Sequence, residues 1–183
     1  VDTDDEKGIK ALEALNHRGV DGLIVASSGV SMGELVKQEA LKNIPVIELD
    51  RQSTSQIKDS IKTDDYLGGK LVANLLNDLE HRIVAVLFPE SSSQNILKRL
   101  EGFSANFLGD VIYFATDLTK SSGKKRVSDI LLTEATAIFA ANDEIAFGVY
   151  AGLSDCGKKI PDDYSVVGYD DIEMSSYISP SLT

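Results

Sequence analysis

The sequence predicts a parallel α/β fold in two lobes, and three observations predict it. Short apolar runs alternate with amphipathic stretches along nearly the whole chain, which is the pattern of strand–helix–strand units. The runs are apolar throughout rather than alternating, as strands covered on both faces should be. The pattern pauses in a polar segment, Ser53–Lys58, and restarts near Asp64. These features divide the chain into an N-terminal lobe, 1–63, and a C-terminal lobe, 64–183.

In the first lobe, Asp4, Asp5 and Glu6 precede an amphipathic helix carrying Ile9, Leu12 and Leu15. The acids suit its positive end and His17-Arg18 its negative end. Gly19 stops it. Gly22–Ala26 (GLIVA) reads as a buried strand, and a helix at Met32–Leu41 carries Met32, Leu35 and Val36 on its apolar side. Pro45–Leu49 (PVIEL) is the next strand, followed at once by Asp50-Arg51. Within Ile57–Thr63 a short strand is expected to cross to the second lobe.

The second lobe opens with a helix at Tyr66–Leu79, in which Leu67, Leu71, Leu75 and Leu79 recur at steps of four. Gly68-Gly69 inside it costs helix stability, and close packing is the usual reason. Arg82–Phe88 is a strand and Glu90-Ser91-Ser92-Ser93 a capping loop. The next helix carries Leu97, Leu100, Phe103 and Phe107, with Arg99 at the margin of that stripe. Val111–Ala115 is a strand and Ser121–Leu132 a helix. Thr136–Asp171 forms the last strand–helix–strand unit. Ala137–Ala141 is its first strand, and Asn142-Asp143 opens a helix whose free N–H groups those side chains can cap. Ile145, Val149, Leu153 and Cys156 form its stripe. Gly157 and Pro161 end it, and Ser165–Tyr169 is the second strand.

Composition bounds the function. The 183 residues carry 18 Lys+Arg against 29 Asp+Glu, a formal net charge of −11. Taken whole, such a chain repels nucleic acid and anionic membrane, and its longest basic run is Lys124-Lys125-Arg126. No apolar run is long enough to span a bilayer. Cys156 is the single cysteine, so no internal disulfide can form, and its place on the helix stripe predicts a buried thiol. No signal peptide is visible, and Val1 does not look like a natural start.

The candidate site follows from topology. Parallel strands share one carboxyl edge, and open α/β sheets bind ligands there. Asn142 and Asp170 stand at two such strand ends. Asp50 and Arg51 follow another, and Arg99 starts from the helix behind the RIVAVLF strand. An amide, a guanidinium and carboxylates together suit a ligand rich in hydroxyl groups. The ordinary readings remain beside this one: Asn142 as a helix cap, Asp170 as a turn residue, the others as surface charges. For catalysis the residues offer little. Only two histidines are present, His17 at a helix end and His81 before a strand at the opposite edge. No metal cluster at ligand spacing and no phosphate-binding glycine loop is found. No catalytic residue, metal or cofactor is therefore expected.

VDGLIV, PVIELDR, TDDYLGGKLVANLL, KRLEGF, AIFAANDEIAFGVY and IPDDYSVVGYDDIEMSSYISPSLT resemble the effector-binding core of the LacI/GalR family of bacterial transcription repressors. The resemblance covers nearly the whole chain, and its last two motifs are the specific ones. It implies two Rossmann-like lobes, a periplasmic-binding-protein-like (type I) fold, and a cleft with a hinge of crossing strands. Carried over residue by residue, the family's effector contacts fall on Asp50, Arg99, Asn142 and Asp170. Lys62, Asn95 and Leu118 are further pocket positions. LDRQST also resembles the ribose-binding protein, where Asp-Arg grips the sugar, so Arg51 joins the set and ribose is the first effector expected; a hexose, a disaccharide or a purine stays open.

The family's DNA-binding headpiece and hinge helix, the first strand and helix of its N-lobe and its C-terminal tail have no counterpart in this sequence. The fold is therefore expected to be incomplete at both ends. The resemblance implies a cytoplasmic homodimer that meets operator DNA through a headpiece outside this chain. The alternatives are a periplasmic or extracellular sugar-binding protein of a transport system, an enzyme acting on a sugar or nucleotide, and, more distantly, a protein-interaction module.

Overall fold

The computed structural model describes residues 14–15, 17–26, 44–49, 59–90 and 93–183. The helix expected at Met32–Leu41 and most of the helix around Ile9 and Leu12 lie outside the described residues, as do Asp50 and Arg51. The chain divides into two compact units, Val1–Thr63 and Asp64–Thr183.

The first unit contains β1 (Leu23–Val25), β2 (Val46–Leu49) and β3 (Asp59–Ile61), parallel and in that spatial order. Gly19, at φ 67°, follows the turn at His17-Arg18, as a helix-stopping glycine should. Glu48 breaks the apolar character of β2. It lies beside Val25 and Ser60 in register, is 1% exposed, and neither carboxylate oxygen has a hydrogen-bond partner among the described residues.

The second unit is a four-stranded parallel sheet in the order β5-β4-β6-β7, formed by β4 (Ile83–Pro89), β5 (Asp110–Thr116), β6 (Ala137–Ala140) and β7 (Ser165–Val167). Four helices alternate with these strands: α1 (Asp65–Asp78), α2 (Gln94–Asn106), α3 (Lys120–Ile130) and α4 (Asp143–Asp155). Successive strand residues point to opposite faces, so the sheet feeds two cores. Val84, Val86, Ala137, Phe139 and Val167 pack with Val72, Leu76 and Phe103 from α1 and α2. Ala85, Leu87, Ile138, Ala140 and Val166 pack with Val127, Ile130, Ile145, Val149 and Leu153 from α3 and α4. Burial on both faces is the reason the strands read as continuous apolar runs.

Three expectations about facing need correction. In α1 three of the four leucines at steps of four look outward: Leu67, Leu71 and Leu79 are 47%, 60% and 55% exposed, Leu75 is half-buried against the core, and the buried residues are Asp65, Gly69, Val72, Ala73 and Leu76. The glycines explain the choice of face. A Cβ at Gly69 would lie 1.8 Å from the Arg99 carbonyl oxygen, and one at Gly102 would lie 2.0 Å from that of Tyr66. The backbones of α1 and α2 therefore touch, which no leucine face would permit. In α2 the buried side is Ile96, Arg99, Gly102 and Phe103, and Leu97 is exposed. Cys156 is exposed rather than buried, because α4 ends at Asp155 and the thiol sits on the cap beyond the stripe. Gly157, at φ 69°, turns the chain away, as expected of a glycine at a helix C-terminus.

Candidate functional site

Each element delivers its polar residue for a local reason. Asn142 is the N-cap of α4: its Oδ1 accepts the Ile145 N–H at 2.9 Å. The ordinary cap reading is thus realised, and it leaves the Nδ2 hydrogens as donors. Arg99 does turn inward from α2 and is 7% exposed. Its Nη2 and Nε donate to Asp65 Oδ1 at 2.8 and 3.3 Å, and its Nη1 donates to the Ala141 carbonyl. The ring of Tyr169 covers the guanidinium, with Cζ 3.2 Å from the ring centroid. Burial pushes the Tyr169 phenol above its usual pKa, opposed by the neighbouring Arg99 charge, so a neutral ring faces the cation at physiological pH.

Asp170 stands just beyond β7 with φ 105°, and Asp171 follows at φ 50°. Two consecutive non-glycine residues at positive φ are uncommon, although Asp tolerates that region better than most. The turn is held by Asp143. Its Oδ1 accepts the Tyr169 N–H at 2.8 Å, and its Oδ2 accepts the Ile172 N–H at 2.9 Å and the Ser175 hydroxyl at 2.7 Å. The Asp143 N–H in turn donates to the Tyr169 carbonyl at 2.9 Å. Asp143 is 2% exposed.

The structure therefore joins the segments bearing three of the predicted residues. Arg99 bonds the carbonyl next to Asn142 and stacks on the ring next to Asp170, and Asp143 ties the start of α4 to the 169–175 turn. Of the further positions, Asn95 is half-buried in the first turn of α2, one turn before Arg99. Leu118 is 43% exposed. It lies in an open groove of about 760 Å³ past the carboxyl ends of β4 and β5, with Pro89, Glu90, Thr116, Asp117 and Lys125 also lining it. Thr116 Oγ1 is buried there without a hydrogen-bond partner among the described residues. Lys62 follows β3 and is exposed.

Reasoning from sequence missed Asp65 and Asp143 as organisers of the site. The signal for each was its position, one residue after an N-cap and one after Asn142, where an acid reads as a helix-dipole partner. Of the two histidines, His17 is exposed. His81 is a structural staple: its ring nitrogens lie 2.8 Å from Thr136 Oγ1 and 3.0 Å from Ser165 Oγ, which links the beginnings of β4, β6 and β7. Among the described residues, no group of His, Cys, Asp and Glu is placed to hold a metal ion.

A parallel α/β sheet with an acid, an amide and a guanidinium at its carboxyl edge belongs to the class of small-molecule-binding domains. The comparisons narrow the class. The family described as "Periplasmic binding protein-like domain" matches residues 73–183. The ribose operon repressor of Haemophilus influenzae is 29% identical over 94% of this chain and 54% of its own length. The transcriptional repressor PurR of Histophilus somni is 27% identical over 97% of this chain and 56% of its own. Two solved LacI family regulators, both with bound ribose, come from Enterococcus faecalis (43% identity, TM-score 0.83, 94% of this chain and 65% of that one) and Enterococcus faecium (39%, 0.86, 96% and 68%). The chain belongs to the periplasmic binding protein-like family, as an effector-binding domain of the LacI type. It spans a little over half the length of these curated relatives.

Proposed function

We propose that the chain is the effector-binding core of a LacI-type regulator of bacterial transcription, with a small sugar as effector and ribose as the first candidate. One observation carries the reading. The segments bearing Arg99, Asn142 and Asp170 form one connected set of contacts at the sheet's carboxyl edge, in a chain 43% identical to a regulator solved with ribose. The chemistry is consistent. Arg99 and Asn142 can donate, a carboxylate at Asp170 can only accept, and a sugar hydroxyl does both. Asp50 and Arg51, with Lys62, Asn95 and Leu118, complete the proposed contact set.

The effector would act by binding one arrangement of the regulator more tightly than another. A difference of about 1.4 kcal/mol changes the ratio of states tenfold, so a few unequal hydrogen bonds suffice. In this reading the protein works in the cytoplasm as a homodimer and meets operator DNA through residues outside this chain. The relatives are transcriptional repressors rather than enzymes. A transport protein would share the fold, but these relatives are named as regulators. Among the described residues, no helix is long and apolar enough to cross a membrane. A purine effector, which the sequence motifs leave open, is the second reading.

Titration calorimetry with D-ribose, a hexose and a purine base separates the two. The expected result is saturable ribose binding that Asp170→Asn weakens by at least about tenfold, the order of one lost charged hydrogen bond. Asn tolerates the left-handed backbone, so the fold should persist. Undiminished ribose affinity in that variant would remove Asp170 from the site, and purine binding without ribose binding would transfer the proposal to the second reading.

A further inference from the structure

We infer that Asp143, which the effector reading leaves outside the contact set, is a positioning residue that sets the Asp170 turn and through it the affinity for effector. This rests on the reading of Asp170 as an effector contact. The carboxylate is buried and takes its hydrogen bonds from one short stretch: the Tyr169 and Ile172 N–H groups, which bracket Asp170 and Asp171, and the Ser175 hydroxyl. Residues 170 and 171 are consecutive non-glycine residues held at positive φ. A non-glycine backbone stays in that region only where its surroundings over-determine it, and the Asp143 carboxylate supplies three of the bonds that do so here. The site is closely built, since a Cβ at Gly168 would lie 2.3 Å from Asp143 Oδ1.

The stereochemistry separates Asp from its nearest isostere. Both oxygens must accept a backbone N–H at once, Oδ1 from Tyr169 and Oδ2 from Ile172. Asn has one carbonyl oxygen and would turn an NH2 group toward one of those N–H donors. Asp143→Asn should therefore release the turn although it changes neither size nor helix start. Because α4 begins at Asp143, beside Asn142, the same side chain holds two proposed contact segments in register with each other.

The test uses the full chain with two readings. The first needs no ligand: amide hydrogen exchange at Tyr169 and Ile172. Protection is expected to fall at least about tenfold in Asp143→Asn, the order of a lost charge-assisted hydrogen bond, while the β4 and β6 amides keep theirs. Unchanged exchange at both amides overturns the inference. The second is D-ribose affinity in a double-mutant cycle. Asp143→Asn should weaken binding about tenfold or more in the parent and less than about twofold once Asp170 is already Asn; additive losses overturn a role through Asp170. If the parent chain binds no ribose, the effector reading fails separately, and the exchange arm alone decides whether Asp143 sets the turn. Should Asp143→Asn not fold, Ser175→Ala removes one of the three donors and carries both readings with smaller expected losses; no change in either overturns the inference.

Discussion

Removing the Asp65 carboxylate should cost far more than the loss of a surface ion pair. Arg99 and Asp65 are 7% and 5% exposed, so solvent screens neither. Asp65 Oδ1 accepts two of the three hydrogen bonds that Arg99 makes. In Asp65→Ala the guanidinium stays buried under Tyr169 with the Ala141 carbonyl as its one remaining acceptor among the described residues. Stranding a buried charge in this way costs about 3–5 kcal/mol, a large share of the 5–15 kcal/mol typical of whole domains. Urea unfolding of the full chain, followed by circular dichroism, measures it. The comparison variant is Asp65→Leu with Arg99→Met, which buries no charge. It should be less destabilised than Asp65→Ala alone, because an apolar pair of similar volume replaces an ion pair at little cost. A loss below about 1 kcal/mol in Asp65→Ala, or a double variant worse than the single one, refutes the reasoning.

Two further outcomes follow from the packing. Gly69→Ala places a methyl group 1.8 Å from the Arg99 carbonyl oxygen, a contact that only separation of α1 from α2 can relieve. A loss of about 2 kcal/mol or more is expected in the same unfolding assay, against a gain if helix propensity alone decided the matter. Burial lowers the His81 pKa from 6.5, so the unfolded chain takes up this proton at higher pH than the folded one. The stabilisation is complete above pH 6.5 and is lost as pH falls through the folded value. Melting temperatures measured from neutral pH to about pH 5 should fall less steeply for His81→Gln than for the parent; parallel curves would contradict the assignment.

Strand positions were legible because a parallel sheet covered on both faces demands uninterrupted apolar residues. Arg82–Phe88 and Ala137–Ala141 show this, and each overlaps an observed strand; Pro45–Leu49 does too, despite Glu48. Helix facing was less legible. Residues four apart advance about 40° beyond a full turn, so Leu67, Leu71 and Leu79 wind off any straight contact face, and α1 packs on small residues that hydropathy does not mark. The exposed Cys156 has a similar origin: the periodicity continued one step past the helix that carried it. Arg99 at a stripe margin was readable. Its carboxylate partner was not, because a charged residue is expected at the surface until the fold supplies a neighbour. Asp143 was read as one of two candidate caps for α4, when its role depends on a turn 26 to 32 residues further on.

The Arg99 network also limits how that residue can greet a visitor. A guanidinium has five N–H bonds, and three are already committed within the protein, so 5 − 3 = 2 face no acceptor among the described residues. Both lie in a plane fixed by Asp65 on one side and by the Tyr169 ring above. In the proposed reading, an effector meets a donor whose conformational freedom was surrendered when the chain folded, and such preorganisation lowers the entropic cost of association. A lysine at the same place would arrive as a mobile point charge, and so would read total charge where arginine reads the direction of an oxygen.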